Sequence, residues 1–320
     1  MAEVKPAPEL SILLVNWNTR AMTLECLASI VAETHSTDYE IIVVDNASHD
    51  GSADAIAAAF PQVGLIRADE NLGFARATNL QASEARGDKL LLLNTDTVVL
   101  DGAIDALMDF SRRQPQAGIW GGRTLYADGS LNPSSCWGRT TGFTCFVQAA
   151  GLSAAFPGSS LLNPRAYPGW LRDSEREVDV VTGCLFLIER RTWEALGGFD
   201  PRFFMFGEEA ELCLRATAAG ARPMITPDAT IIHYDGASNR DRVQKEVHSL
   251  QASLGVIDLH LAGVERAVAR GSTVAGVATR RLAFGFFAKL RPGRFGDAAR
   301  HWRAVWARRG EWQAGSARAG

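Results

Sequence analysis

The chain has 320 residues, 47% of them hydrophobic and 22% charged, with a formal net charge of -3. That is the composition of a soluble globular protein able to bury one large core or two modest ones. Five scattered cysteines, without a C-x-x-C pair, argue against a disulfide framework or a zinc site and for reduced thiols in a cytosolic protein. MAEVKPAPEL at the N-terminus has no apolar core behind a basic region, and no stretch offers about 20 uninterrupted apolar residues, so a signal peptide and a membrane-spanning helix are both excluded from the reading.

Residues 10–15 (LSILLV) read as a first buried strand ending in Asn16-Trp17-Asn18, followed by a helix with apolar Leu24, Leu27, Ile30 and Val31. EIIVV at 40–44 predicts a second strand ending at Asp45, with Asp50 or Ser52 placed to cap a helix running to Phe60. A short third strand is expected at 63–67, then a helix opened by Asn71-Leu72-Gly73-Phe74 and ended by Gly87. Next comes KLLLLNTDTVVL at 89–100, four leucines suited to a strand covered on both faces, followed at once by Asn94-Thr95-Asp96-Thr97. Alternating strands and helices argue for an α/β fold with a mainly parallel sheet, whose ligands bind beyond the carboxyl ends of the strands. Asp96 lies at such an end, where a short carboxylate can meet a metal and a nucleotide diphosphate; taken alone, Asn-Thr-Asp also suits a simple turn.

Beyond the leucine strand a further strand is predicted at 118–126, and 132–170 reads as a long loop rich in Gly, Pro, Ser and aromatics. VDVVTGCLFLI at 178–188 predicts a strand interrupted by Thr182-Gly183-Cys184. After the Phe203-Phe204-Met205-Phe206 cluster, Glu208-Glu209-Ala210-Glu211-Leu212 starts a helix ending near Gly220, and a last strand at 229–233 delivers His233. Glu211 is spaced to hold Arg215.

VNWN at 15–18, VVDNASHDGS at 43–52, NLGFARATN at 71–79, LLLNTDT at 91–97, VTGCLFLIERR at 181–191, GGFDPRFFMFGEEAELCLR at 197–215 and HYDGAS at 233–238 occur in this order. Together they resemble the motif set of family-2 inverting glycosyltransferases, in particular the rhamnosyltransferase-like branch, over roughly residues 10–240. The resemblance implies a GT-A type, Rossmann-like domain at 10–240 after a tail at 1–9, with a nucleotide-binding half at 10–125 and an acceptor and catalytic half at 126–240. It also implies transfer of a sugar, from dTDP-L-rhamnose first and UDP-sugars next, to a hydroxyl of a glycan or polyprenyl-linked acceptor. By this resemblance Asp96 and His233 hold Mg2+ or Mn2+, with Asn94 standing where the family's first metal-motif aspartate would be. Asp45, Asn16 and Asn18 face the nucleoside; Asn71, Gly73, Arg76 and Asn79 belong to the donor loop and its helix; Thr182, Gly183 and Cys184 line the acceptor side. Glu209 aligns with the family's general base, with Glu in place of Asp, and Glu208 is the fallback. A polymerising or N-acetylglucosaminyl enzyme is the alternative within the class, and a nucleotide-sugar-binding protein that has lost catalysis is the alternative outside it. A nucleotidyltransferase would need a Gly-rich basic loop near the first strand, which VNWNTR does not offer.

The remaining segment, 241–320, is expected to be a basic helical extension. From residue 261 onward 12 Lys and Arg face 3 Asp and Glu, a net of +9, which leaves -12 for the preceding 260 residues. Phe284, Phe286, Phe287, Trp302 and Trp306 interleave with these charges, so residues 280–309 are expected to dock on an anionic membrane surface, peripherally on the cytoplasmic face. Packing on the chain's own acidic body and a homodimer contact are the alternatives; nucleic acid is not expected, because no reading helix or stacking sheet accompanies the charge.

Overall fold

In the computed structural model residues 7–234 and 241–315 are described. The chain divides into two compact units, the first built from Met1–Trp137, Trp170–Asp200 and Leu212–Ser238, the second from Gly138–Gly169, Pro201–Glu211 and Asn239–Gly320. In chain order the elements begin with β1 (Leu10–Asn16), α1 (Arg20–Glu33), β2 (Tyr39–Asp45), α2 (Ser52–Ala59), β3 (Gly64–Arg67), α3 (Gly73–Glu84), β4 (Lys89–Leu93) and β5 (Thr97–Val99). They continue with α4 (Ala103–Arg113), β6 (Ile119–Leu125), β7 (Leu131–Asn132), β8 (Cys136–Trp137), α5 (Gly142–Ala149) and α6 (Leu152–Ala155). Next come β9 (Arg176–Glu177), β10 (Val180–Val181), β11 (Leu185–Glu189), α7 (Arg190–Leu196), α8 (Glu208–Ala218) and β12 (Met224–His233). Four helices close the chain: α9 (Arg242–His260), α10 (Gly263–Leu290), α11 (Pro292–Ala307) and α12 (Arg309–Trp312).

All the strands belong to the first unit. The main sheet has the order β3-β2-β1-β4-β11-β6-β12-β5, with β7 on β6 and β9 on β12. The early strands pair in parallel, β1 with β2 and β4 and β2 with β3, as the strand and helix alternation predicts. Beyond β4 the sheet is mixed: β11 runs antiparallel to β4 and β6, while β12 is parallel to β6 and antiparallel to β5. Leu10, Ile12, Leu14, Val43, Leu91 and Leu93 project into one core cluster with Leu27, Ile30 and Leu107 from α1 and α4. Each such side chain contributes roughly 1.5–3 kcal/mol through burial.

Three expectations are corrected here. Gly87 does not end α3, which stops at Glu84. Its backbone instead lies against β1, donating to Ser11 Oγ at 2.8 Å, and a Cβ there would sit 2.5 Å from Ser11 N. The stretch at 132–170 is not one loop, because it contains α5, α6 and two short strands. The last strand starts at Met224, five residues earlier than expected, since Met224 and Ile225 pair with β6 and β9.

In the second unit α9, α10, α11 and α12 enclose a cluster of Val247, Leu254, Ile257, Val277, Val305 and Trp312, to which α5 adds Cys145. Trp302 and Trp306 pack on this cluster, with the Arg280 guanidinium over the first ring and that of Arg281 over the second. Residues 241–315 group with 138–169 and 201–211 in this unit, and Trp302 and Trp306, expected at a membrane face, are partly buried against the helical cluster.

Candidate active site

Strand register builds the first cluster. Asn94-Thr95-Asp96 leaves the end of β4, and antiparallel pairing sets His233, the last residue of β12, opposite Thr97. Tyr234 N donates to Asp96 O at 3.0 Å, so the backbones of the two segments are tied beside the side chains. Asp96 Oδ1 and His233 Nε2 lie 3.3 Å apart, and both residues are buried. His233 Nδ1 is also buried, without a hydrogen-bond partner among the described residues. Burial disfavours the imidazolium, but the Cys184 sulfur and the Asp96 carboxylate outweigh it and raise the pKa of His233 to about 11. Cys184 thus stands against His233; its carbonyl accepts from Asn94 N at 3.4 Å and its Sγ lies 3.3 Å from Thr182 Oγ1. No local signal in the sequence links Cys184 to His233, 49 residues apart. Gly183 faces the Phe74 ring, which a Cβ would approach to 3.6 Å. The remainder of the HYDGAS motif, 235–238, lies outside the described residues.

Parallel register between β1 and β2 places Asn16 directly beside Asp45. Asn16 is fully buried and its amide donates to Asp45 Oδ1 at 2.6 Å and Ser48 Oγ at 3.0 Å, while its carbonyl accepts from Thr19 and Thr23. Its side-chain polar atoms are all engaged within the protein, and the bond to Asp45 holds that carboxylate in place. Ser48 N donates to Asp45 Oδ2 at 3.1 Å, fixing the carboxylate from its other side. Asn18, exposed and with a φ of 54°, receives His49 N at 2.8 Å and donates its own N–H to Ser48.

The next loop is held by asparagines. Asn71 Oδ1 accepts from Gly73 N and from Asn46, whose own carbonyl receives Leu72 N. Gly73 sits at φ 78°, a conformation costly for residues with a Cβ. One turn on, Arg76 is exposed. Asn79 does not face this loop: its amide pairs with the backbone of Phe199 through bonds of 2.8 and 2.9 Å, pinning the GGFD segment 120 residues away.

The second unit carries the acidic group. Gly207, at φ 83°, turns the chain into α8, and a Cβ there would crowd Ala252 at 3.0 Å. Glu208 is buried, Glu209 half-buried, and the Oε2 atoms of both are buried without a hydrogen-bond partner among the described residues. Burial, and then the Glu209 charge, hold Glu208 well above the usual carboxylate range; Glu209 is also raised by burial, against the lowering effect of backbone N–H groups. The two adjacent carboxyls are therefore both harder to ionise than a free glutamate. Glu211 faces His260 at the end of α9, Oε1 to Nε2 3.2 Å, a pairing with no signature in the linear sequence.

The profile described as glycosyl transferase family 2 matches residues 11–158. The N-acetylglucosaminyl-diphospho-decaprenol L-rhamnosyltransferase of Mycobacterium tuberculosis is 31% identical over 212 residues, covering 62% of this chain and 67% of that protein. The O-antigen biosynthesis protein RfbC of Myxococcus xanthus is 30% identical over 241 residues, 74% of this chain, which spans only 18% of RfbC. The mannosyltransferase PcManGT of Pyrobaculum calidifontis, solved with GDP-Man and Mn2+, superposes with a TM-score of 0.56 over 95% of this chain and 87% of its own, at 17% identity. GalNAc-T7, solved with UDP, GalNAc and Mn2+, gives a TM-score of 0.54 at 16% identity, over 80% of this chain and 48% of its own. These two show the fold, the GT-A architecture. The chain belongs to glycosyl transferase family 2 and is a glycosyltransferase.

Proposed function

We propose that the protein transfers L-rhamnose from dTDP-rhamnose, with inversion and with a divalent cation, to a hydroxyl of a glycan or lipid-linked acceptor. The observation that carries the reaction type is the buried Asp96 and His233 pair, with Asp96 just beyond β4, in the same sheet in which β2, separated from β4 by β1, ends in Asp45. The names of the rhamnosyltransferase relatives support the donor.

Asp96 and His233 fit Mg2+ or Mn2+: a carboxylate oxygen and an imidazole nitrogen converge to 3.3 Å, and a second buried imidazole nitrogen has no partner among the described residues. The described residues hold no group of three or more His, Cys, Asp and Glu placed to hold a metal ion, so Asp96 and His233 would hold a cation only together with ligands from outside the protein. Bound there, the cation neutralises the charge that develops on the departing diphosphate. Asp45, locked by Asn16 and Ser48, accepts the N3–H of thymine. Asn18, Asn71, Gly73 and Arg76 complete the donor side, and Thr182, Gly183 and Cys184 border the acceptor. Glu209 takes the acceptor hydroxyl proton as that oxygen bonds to the anomeric carbon. The bond from that carbon to the diphosphate breaks, its electron pair leaving with dTDP.

Full-length protein is incubated with dTDP-rhamnose, UDP-sugars or GDP-mannose and a polyprenyl-linked acceptor, with and without chelator, and nucleoside diphosphate release is followed. Release with dTDP-rhamnose that chelator abolishes, and that Glu209→Gln reduces by roughly 10²–10⁴ while Glu208→Gln does not, is the expected result. Turnover with UDP-sugars alone would overturn the donor, and a large loss in Glu208→Gln alone would overturn the base.

A further inference from the structure

Helix α10 is 28 residues long, about 42 Å, and buries Ala269, Gly276 and Val277 on one side. Its opposite side is uncovered. Val264, Val268, Leu282, Phe286 and Leu290 are all exposed, four of them by 59–80% of their surface. Positions 271, 275 and 279 between them hold exposed Gly, Ala and Thr. Steps of three or four residues keep all eight on one face, so an uncharged stripe runs the length of the helix. At its start α5 widens it: a Cβ on Gly142 would lie 3.4 Å from Val268, and the next residue, Phe143, is 49% exposed. Charge is equally one-sided, since residues 266–296 contain seven Lys and Arg and no Asp or Glu.

We propose that this stripe of α10 lies flat on an anionic lipid surface. An exposed apolar face bordered mainly by cations, with Glu265 the one acidic residue of α10, is the pattern of an interfacial helix, whose apolar side chains enter the acyl boundary while Lys and Arg meet acidic headgroups. A second copy of this chain is the poorer occupant, because face-to-face pairing would bring two mainly basic borders together, with Glu265 the one counter-charge on each α10. Phe286 is shared with the sequence expectation, Leu282 and Leu290 join it, and Trp302 and Trp306 pack on the helical core instead. No described helix is long and apolar enough to cross a membrane, so contact is with the surface alone. The inference is independent of donor and acceptor identity.

The test is flotation of the full chain with phosphatidylcholine vesicles and with vesicles containing phosphatidylglycerol. The wild type is expected to float with the anionic vesicles only, and salt to weaken that binding. Leu282→Ser/Phe286→Ser and, separately, Lys289→Glu/Arg291→Glu should each lower binding by at least about tenfold, with circular dichroism and thermal midpoint unchanged. Equal flotation of wild type and both variants would overturn the proposal. So would absence of vesicle binding together with a wild-type dimer in light scattering that Leu282→Ser/Phe286→Ser dissociates, which would give the stripe to a second copy.

Discussion

Replacing Glu208 by Gln isolates the energetic cost of two adjacent carboxyls at the head of α8. Burial and the Glu209 charge hold Glu208 above its ordinary value of 4.5. The native chain therefore binds a proton that the unfolded chain has released, from about pH 4.5 up to the native pKa, and in that window stability falls as pH rises. One such proton changes the unfolding free energy by ~1.4 kcal/mol per pH unit. Gln has nearly the same shape and never ionises, so Glu208→Gln should flatten the slope by up to that amount and gain most over the wild type at the alkaline end. Urea unfolding of both proteins at intervals from about pH 5 to about pH 8 measures it. An advantage that shrinks as pH rises, or a uniform loss at every pH, would refute the reasoning, the latter by showing that Glu208 makes a bond only a carboxylate can make.

Asp96→Ala should leave the far-ultraviolet circular dichroism unchanged and weaken donor-dependent Mn2+ binding by at least the 10–100-fold that loss of a supporting partner typically costs, roughly, in metal sites; unchanged calorimetric affinity would remove Asp96 from the metal site. Gly87→Ala should destabilise by about 1–3 kcal/mol, because its Cβ would press on the backbone of a buried strand 2.5 Å away; an unchanged urea midpoint would show that β1 yields.

Much of the architecture of the first hundred residues was legible in the linear chain. Apolar runs at 10–15, 40–44 and 90–93, separated by helical patterns, correspond to β1, β2 and β4, and the polar residues just after them, Asn16, Asp45 and Asp96, stand at the strand ends. Strand periodicity and turn chemistry act over a few residues, so a single segment carries them. The basic excess after residue 261 was equally visible, since charge is additive along a chain.

Partnership was not visible. Asn16 and Asn79 look like ligand-facing asparagines in isolation, and only the neighbours brought by register and by the GGFD segment show that their polar atoms are consumed. Cys184 beside His233, Glu211 opposite His260, and Trp302 and Trp306 turned inward likewise join residues far apart in sequence. A buried polar group must find a partner, and an amphipathic helix must choose which face to cover, but the local sequence does not name the partner. Tertiary packing decided those pairings, because each depends on which distant segment arrives at the same edge.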